Sequence, residues 1–122
     1  MALLHFTART MHGAGRGKRL GTPTINLVLD DVPKDLQEGI YACRTNITDM
    51  THDAVMHFGP RPVFHDTTSC EVHVLDQAFA ALPESITVDI IAFLRPVADF
   101  LSPEALQTQI AEDIRKARAL LR

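Results

Sequence analysis

The sequence lacks several features that would assign it to a class of protein. It has only two cysteines, Cys43 and Cys70, and neither belongs to a CxxC pair, so no disulfide framework is expected. No apolar run approaches the ~18 residues that a membrane span requires, and the N-terminus has no signal-peptide core. We therefore interpret both cysteines as small buried residues, and we expect a cytoplasmic protein with no membrane partner.

The charge balance shows no excess of cations. Lys and Arg total 12 against 15 Asp and Glu, which argues against nucleic acid as a partner because a phosphate backbone needs a broad cationic surface. The six histidines show no HxxxH or HExxH spacing, and no GxSxG elbow occurs, so neither a structural zinc site nor a Ser-His-Asp triad is indicated. At 122 residues, we expect one globular domain over 1–122, with a modest core and a monomeric state.

Alternation of apolar and polar residues predicts a mainly β protein. The predicted strands are a first one around Leu4, Phe6 and Ala8, followed by 24–29, 40–47, 54–58, 69–75 and 85–94, with a turn over 46–53. A C-terminal helix follows, with Ser102 as N-cap, Pro103 in the first turn and apolar residues at helical spacing. No connection between strands is helix-length, so we predict a six-stranded antiparallel barrel, closed or nearly closed, with the helix packed against it.

A glycine-rich basic loop precedes the second strand. It holds Gly13, Gly15, Gly17 and Gly21 with the cations Arg16, Lys18 and Arg19 between them, and it stiffens at Pro23. Beyond Pro23, Thr24 and Asn26 fall on one face of the strand and Ile25 on the other. The pattern is typical of a phosphate cradle that leads into a metal site, but it fits a basic turn before a half-buried strand equally well, and it is a poor match to a P-loop.

Glu71 is the acid that the pattern singles out, because it lies mid-strand in an apolar segment beside His73. On the pattern alone, a solvated face of an antiparallel strand explains it better than a site does. In a site, Glu71 would be a general base. His57 and His73 could meet across strands, although strand histidines are more often a surface pair.

Several motifs in one order resemble the riboflavin kinase (flavokinase) family over roughly residues 13–121. They are GAGRGKRLGTPTINL (13–27), GIYA (39–42), FGPRPVF (58–64), EVHVLD (71–76), FLRP (93–96), FLS (100–102) and QIAED (109–113). The resemblance is to a stand-alone kinase domain, similar to the C-terminal half of the bacterial bifunctional riboflavin kinase/FAD synthetases. It implies a Greek-key barrel that forms FMN and, without an adenylyltransferase domain, goes no further.

The resemblance also implies roles for residues. ATP would donate its γ-phosphate to the 5′-hydroxyl of riboflavin, with Mg²⁺ (or Zn²⁺ or Mn²⁺) as the metal. Thr24 and Asn26 would hold the metal and Glu71 would take the hydroxyl proton. The loop residues named above would bind the phosphates, and the flavin ring would lie near Phe100 and Leu101.

The sequence departs from the family pattern at a few positions. Ile25 stands where the family usually has alanine, His57 where asparagine is common, and Leu82-Pro83 where it has Tyr-Gly; Thr22 and Gln77 also differ. Because Thr24, Asn26 and Glu71 are retained, an active kinase is favoured. These departures leave two alternatives: a non-catalytic flavin- or nucleotide-binding module on the same barrel, or an interaction domain with no small ligand.

Overall fold

The computed structural model describes residues 3–11, 24–60, 68–77, 79 and 81–122. Six strands close into a barrel in the order β1-β2-β5-β4-β3-β6, and every described pairing is antiparallel. The strands are β1 (Leu4–Met11), β2 (Ile25–Leu27), β3 (Gly39–Ile47), β4 (Met50–Pro60), β5 (Thr68–Val74) and β6 (Ser85–Arg95). Strands β3, β4 and β5 lie side by side and β6 returns beside β3, which is a Greek key and confirms the predicted fold.

The barrel interior is filled by the apolar side of each strand. Residues with nearly no exposure include Leu27, Met56, Val72, Val88 and Ile90. Both cysteines are free and buried there, as predicted. Burial raises the pKa of Cys70 to about 12 and raises the pKa of Cys43 still further. Both thiols are therefore protonated and inert at neutral pH.

The C-terminal helix α1 (Pro103–Leu120) packs on the outside of β3, β4 and β6. Ser102 caps it as predicted, because its hydroxyl accepts a hydrogen bond of 3.1 Å from the amide of Ala105. A buried ion pair ties the helix to the barrel. The guanidinium of Arg95, on β6, donates to both carboxylate oxygens of Asp113, at 2.9 and 2.8 Å, and Gln109 donates to the same carboxylate.

Three predicted boundaries were wrong. The turn expected over 46–53 is a two-residue hairpin at Thr48 and Asp49, and β4 begins at Met50. Both turn residues have positive φ, 51° and 64°, which suits the twist of a hairpin although neither is glycine. The second strand ends at Leu27, and Leu29 begins a 3₁₀ turn, Leu29–Asp31, with its side chain exposed. The fifth strand ends at Val74, so Leu75, predicted as its last residue on the same face as Glu71, lies beyond it and is buried.

The sequence predicts that the segment 59–62 lies in a loop or at an edge, because its two prolines cannot serve a central ladder; Pro62 lies outside the described residues. Pro60 closes β4 and pairs with Thr68 of β5, while β3 pairs with β4 only as far as Phe58. Pro60 therefore has a strand on one side only, which suits a residue with no N–H. No helix in the described part of the chain combines the length and the apolar character needed to cross a bilayer.

Candidate active site on the outer barrel wall

Three polar side chains form a row across neighbouring strands, which we call the wall row: Asn26 on β2, Glu71 on β5 and His57 on β4. The register sets Asn26 directly opposite Glu71, and Glu71 directly opposite His57. Directly opposed residues share one face of a sheet, with Cβ atoms roughly 4.5–5.5 Å apart. Their strand neighbours point into the core, so the wall row lies on the outer surface of the barrel.

Ile25 does not intrude between the two predicted metal ligands. Thr24 immediately precedes β2 and is half-buried, and Asn26 is half-buried within it. The Ile25 side chain points into the barrel opposite Val72 and is 4% exposed. The extra bulk at this position is therefore taken up by the core.

Glu71 is half-buried, and a neighbour on its own strand holds it. The hydroxyl of Ser69 donates to the Oε2 atom of Glu71 over 3.2 Å. Ser69 lies two residues earlier on β5, so strand alternation places both side chains on the same face. Our sequence interpretation missed Ser69, although the period of two in 69–71 is the signal that could have found it. The hydrogen bond leaves Oε1 as the oxygen without an assigned donor among the described residues.

His57 is the third member of the wall row. Its Nε2 atom lies 3.1 Å from the carbonyl oxygen of Pro60, which can only accept a hydrogen bond. Its Nδ1 atom is buried and has no hydrogen-bond partner within the described ranges. Burial lowers the pKa of His57, and the opposing influence of the Glu71 carboxylate is smaller. The imidazole is therefore neutral at pH 7.

His73 does not pair with His57. It lies opposite Val55, one position further along the same outer face, so the two histidines are diagonal neighbours. Burial lowers the pKa of His73, and the nearby Arg118 guanidinium lowers it further. The two histidines, which the sequence allowed to meet across strands, are thus not directly opposed, because Glu71 occupies the position opposite His57.

The outer wall continues from His57 through Ile40 to Arg95 on β6. Phe100 lies beneath the Arg95 guanidinium, 5.6 Å from its ring centroid, and is half-buried. Leu101 is fully exposed just before the helix. Three strand spacings separate β6 from β5, about 14 Å, so Arg95, with Phe100 against it, lies about that far along the wall from Glu71.

The remaining predicted site residues, Gly13, Gly15, Arg16, Gly17, Lys18, Arg19, Gly21 and Pro23, lie outside the described residues. The described part of the proposed metal site offers oxygen donors. Thr24 offers a hydroxyl and Asn26 a carboxamide oxygen, both hard donors that suit Mg²⁺ bound partly by phosphates. Across the described ranges, no three His, Cys, Asp or Glu side chains come together in a metal cage.

Comparison with known proteins identifies the family. The family model described as riboflavin kinase (flavokinase) matches residues 2–121. The chain belongs to the riboflavin kinase family. Human riboflavin kinase is 34% identical over 122 residues, with 93% of this chain and 77% of the human protein covered. The bifunctional riboflavin kinase/FMN adenylyltransferase of Pseudomonas fluorescens is 35% identical over 114 residues.

This chain covers very different shares of the lengths of its relatives. This chain spans 36% of the Pseudomonas fluorescens protein and 16% of a trifunctional RibF/MnmA protein of Mycoplasmoides gallisepticum, to which it is 30% identical. Among solved structures, a Streptococcus pneumoniae protein named as a macrolide-efflux protein superposes with a TM-score of 0.80 at 26% identity. The superposition covers 94% of this chain and 38% of the Streptococcus pneumoniae chain. Riboflavin kinase from Trypanosoma brucei superposes with a TM-score of 0.63 at 16% identity, covering 96% and 78%, which supports the fold.

Proposed function

We propose that this chain is an ATP-dependent riboflavin kinase that phosphorylates the ribityl 5′-hydroxyl of riboflavin to give FMN. Membership of the riboflavin kinase family and the similarity to the human enzyme support the reaction. The observation that carries the assignment to this wall is the pairing of Asn26 with Glu71 across β2 and β5. It sets a candidate proton acceptor beside a candidate metal ligand.

The phosphoryl transfer needs alignment, charge neutralisation and one acceptor for a proton. The 5′-oxygen forms a bond to the γ-phosphorus as the bond from that phosphorus to the β–γ bridging oxygen breaks, and ADP leaves. The hydroxyl proton passes to the carboxylate of Glu71. Ser69 holds one carboxylate oxygen, which leaves the other to meet the substrate.

The family uses ATP and a divalent metal, for which we propose Mg²⁺, with Zn²⁺ and Mn²⁺ as alternatives. Thr24 and Asn26 would hold it, together with phosphate oxygens, because hard oxygen donors suit a hard cation. The metal neutralises phosphate charge when it is bound. The glycines and cations of 13–21, with Pro23, would serve the phosphates through backbone amides and side chains.

The flavin ring would lie towards the start of α1. Phe100 packs against Arg95, which is on the same wall as Glu71 three strand spacings away, and Leu101 is exposed beside it; a tricyclic ring with a five-carbon chain can bridge such a separation. We further propose that 1–122 is one domain, and that it acts in the cytoplasm as a monomer.

The experiment is direct. Purified protein is incubated with riboflavin, ATP and Mg²⁺, and FMN is quantified by chromatography, with reactions that lack ATP or lack divalent metal as controls. FMN that appears only with ATP and a divalent metal supports the proposal. Riboflavin or nucleotide that binds tightly by calorimetry without turnover would instead establish the non-catalytic binding module.

A further inference from the structure

The hydrogen bonds of His57 fix which of its nitrogens carries the proton. A carbonyl oxygen can only accept, so the contact with Pro60 requires the hydrogen on Nε2. Gly59, with φ of 138°, turns the end of β4, and Pro60 follows it. Since the imidazole is neutral, Nδ1 carries a lone pair and no hydrogen. His57 therefore presents a buried acceptor to the wall row.

A buried acceptor is costly unless a donor reaches it, so the neighbours of Nδ1 matter. From β6, Arg95 influences His57, but the hydrogen bonds that it donates go to Asp113 and to the carbonyl of Pro96. From β5, the side chain directly opposite is Glu71. As a carboxylate, Glu71 can only accept, so no hydrogen bond to Nδ1 is available in the resting enzyme.

We propose that His57 is a positioning residue for Glu71, whose carboxyl donates a hydrogen bond to Nδ1 of His57 once it has taken the substrate proton. The proposal rests on the function proposed above. The ribityl hydroxyl gives its proton to the Oε1 atom of Glu71 as the bond to phosphorus forms. That proton is shared with His57 by hydrogen bonding only, stays on Glu71, and leaves to water after FMN departs.

The arrangement favours the state that follows proton transfer. Before transfer, the directly opposed residues Glu71 and His57 carry two acceptors, the carboxylate and the Nδ1 lone pair, and no donor to Nδ1 among the described residues. After transfer, one of them has become a donor and the buried nitrogen is satisfied. Ser69 holds Oε2, so Oε1 is the oxygen that takes the proton and then donates to Nδ1.

The first test does not depend on activity. Nitrogen-15 spectra of the histidine rings in the wild-type chain should show His57 as the neutral tautomer with hydrogen on Nε2. In the Glu71→Gln variant the amide is a permanent donor, so the Nδ1 resonance should move towards that of a hydrogen-bonded acceptor. Hydrogen on Nδ1 in the wild-type protein, or an Nδ1 resonance that Glu71→Gln leaves unmoved, would overturn the proposal.

The second test uses steady-state kinetics. His57→Leu removes the acceptor at similar volume and should lower kcat by roughly 3–10-fold with little change in the KM for riboflavin, as expected for one lost hydrogen bond. His57→Asn keeps both a donor for Pro60 and an acceptor for Glu71, and should restore most of the rate. His73→Leu, on the same wall but outside the row, should match the wild type.

The kinetic outcomes separate the two proposals. If His57→Leu keeps the full kcat while Glu71→Gln loses it, His57 does not act through Glu71 and this inference fails although the kinase assignment stands. If wild-type protein forms no FMN, the proposed function fails, and the nitrogen-15 spectra then decide whether the hydrogen bond between His57 and residue 71 forms.

Discussion

Replacing Asp113 by asparagine should destabilise the protein by about 3–5 kcal/mol, the usual cost of removing one partner from a buried ion pair. The Asp113 side chain is 4% exposed and that of Arg95 is 17% exposed, so water can replace little of what is lost. Two N–H donors of Arg95 and one of Gln109 converge on this carboxylate. In asparagine, an NH₂ donor replaces one of the two acceptor oxygens, so it would face some of these N–H donors without a hydrogen bond. The guanidinium charge would also be left uncompensated.

The matched control for Asp113→Asn is Glu112→Gln on the same turn of α1. Glu112 pairs with Arg115 in an ion pair whose side chains are 41% and 68% exposed, so its loss should leave the stability close to that of the wild type. The double variant Arg95→Met/Asp113→Leu removes both charges and should recover most of the stability. The penalty therefore comes from the unpaired charge and not from the loss of the bridge itself.

The assay for the Asp113 series is urea denaturation followed by far-ultraviolet circular dichroism, with thermal melting alongside. For a chain of this size, 3–5 kcal/mol corresponds to roughly 10–20 °C in Tm. A loss from Asp113→Asn no larger than that from Glu112→Gln would refute the reasoning, because the ion pair would then behave as a solvated one. Such a result would also mean that the Arg95–Asp113 pair is not what holds α1 against the barrel.

The wall row and its surroundings support three further predictions. Asn26→Leu should raise the Mg²⁺ concentration for half-maximal FMN formation at least roughly tenfold, whereas Asn46→Leu, exposed on β3, should not; equal effects would contradict the metal role. Ile25→Ala should cost about 2–5 kcal/mol by urea denaturation and leave the KM for ATP unchanged, since Ile25 fills the core; an improved KM would contradict this. Because burial lowers the pKa of both His57 and His73, the unfolded chain binds protons first below about pH 6.5, so stability should fall as the pH is lowered from about 7.5 to 5.5. His57→Asn and His73→Asn should each flatten that fall, and a pH dependence of the urea midpoint that neither variant changes would contradict it.

The barrel strands could be predicted from the sequence because a filled interior imposes a period of two. Ile86, Val88 and Ile90 alternate strictly, and all three line the core. The β3–β4 connection was predicted as a long turn instead of a two-residue hairpin for the opposite reason. The first residues of β4 lie exposed beyond the core and show no alternation, and the turn at Thr48 and Asp49 uses positive φ without a glycine to mark it.

The candidate site was predictable as a set of residues but not as an arrangement. Motif resemblance singled out Asn26 and Glu71, which stand far apart in the chain. Their opposition depends on the register between β2 and β5, which barrel closure sets and no local pattern records. For the same reason, the place of His57 beside Glu71 and the pairing of Arg95 with Asp113 could not be derived, because both depend on contacts between distant segments.

The most direct test of the central claim is the effect of Glu71→Gln on the rate of FMN formation. The account predicts that kcat falls by roughly 10²–10⁴-fold, with little change in the KM values for riboflavin and ATP and no loss of stability, because only the proton acceptor is removed. Glu84→Gln, an exposed acid just before β6, is the control and should behave as the wild type. A Glu71→Gln enzyme that retains kcat within about threefold of the wild type would contradict the account, since a general base supplies far more than that.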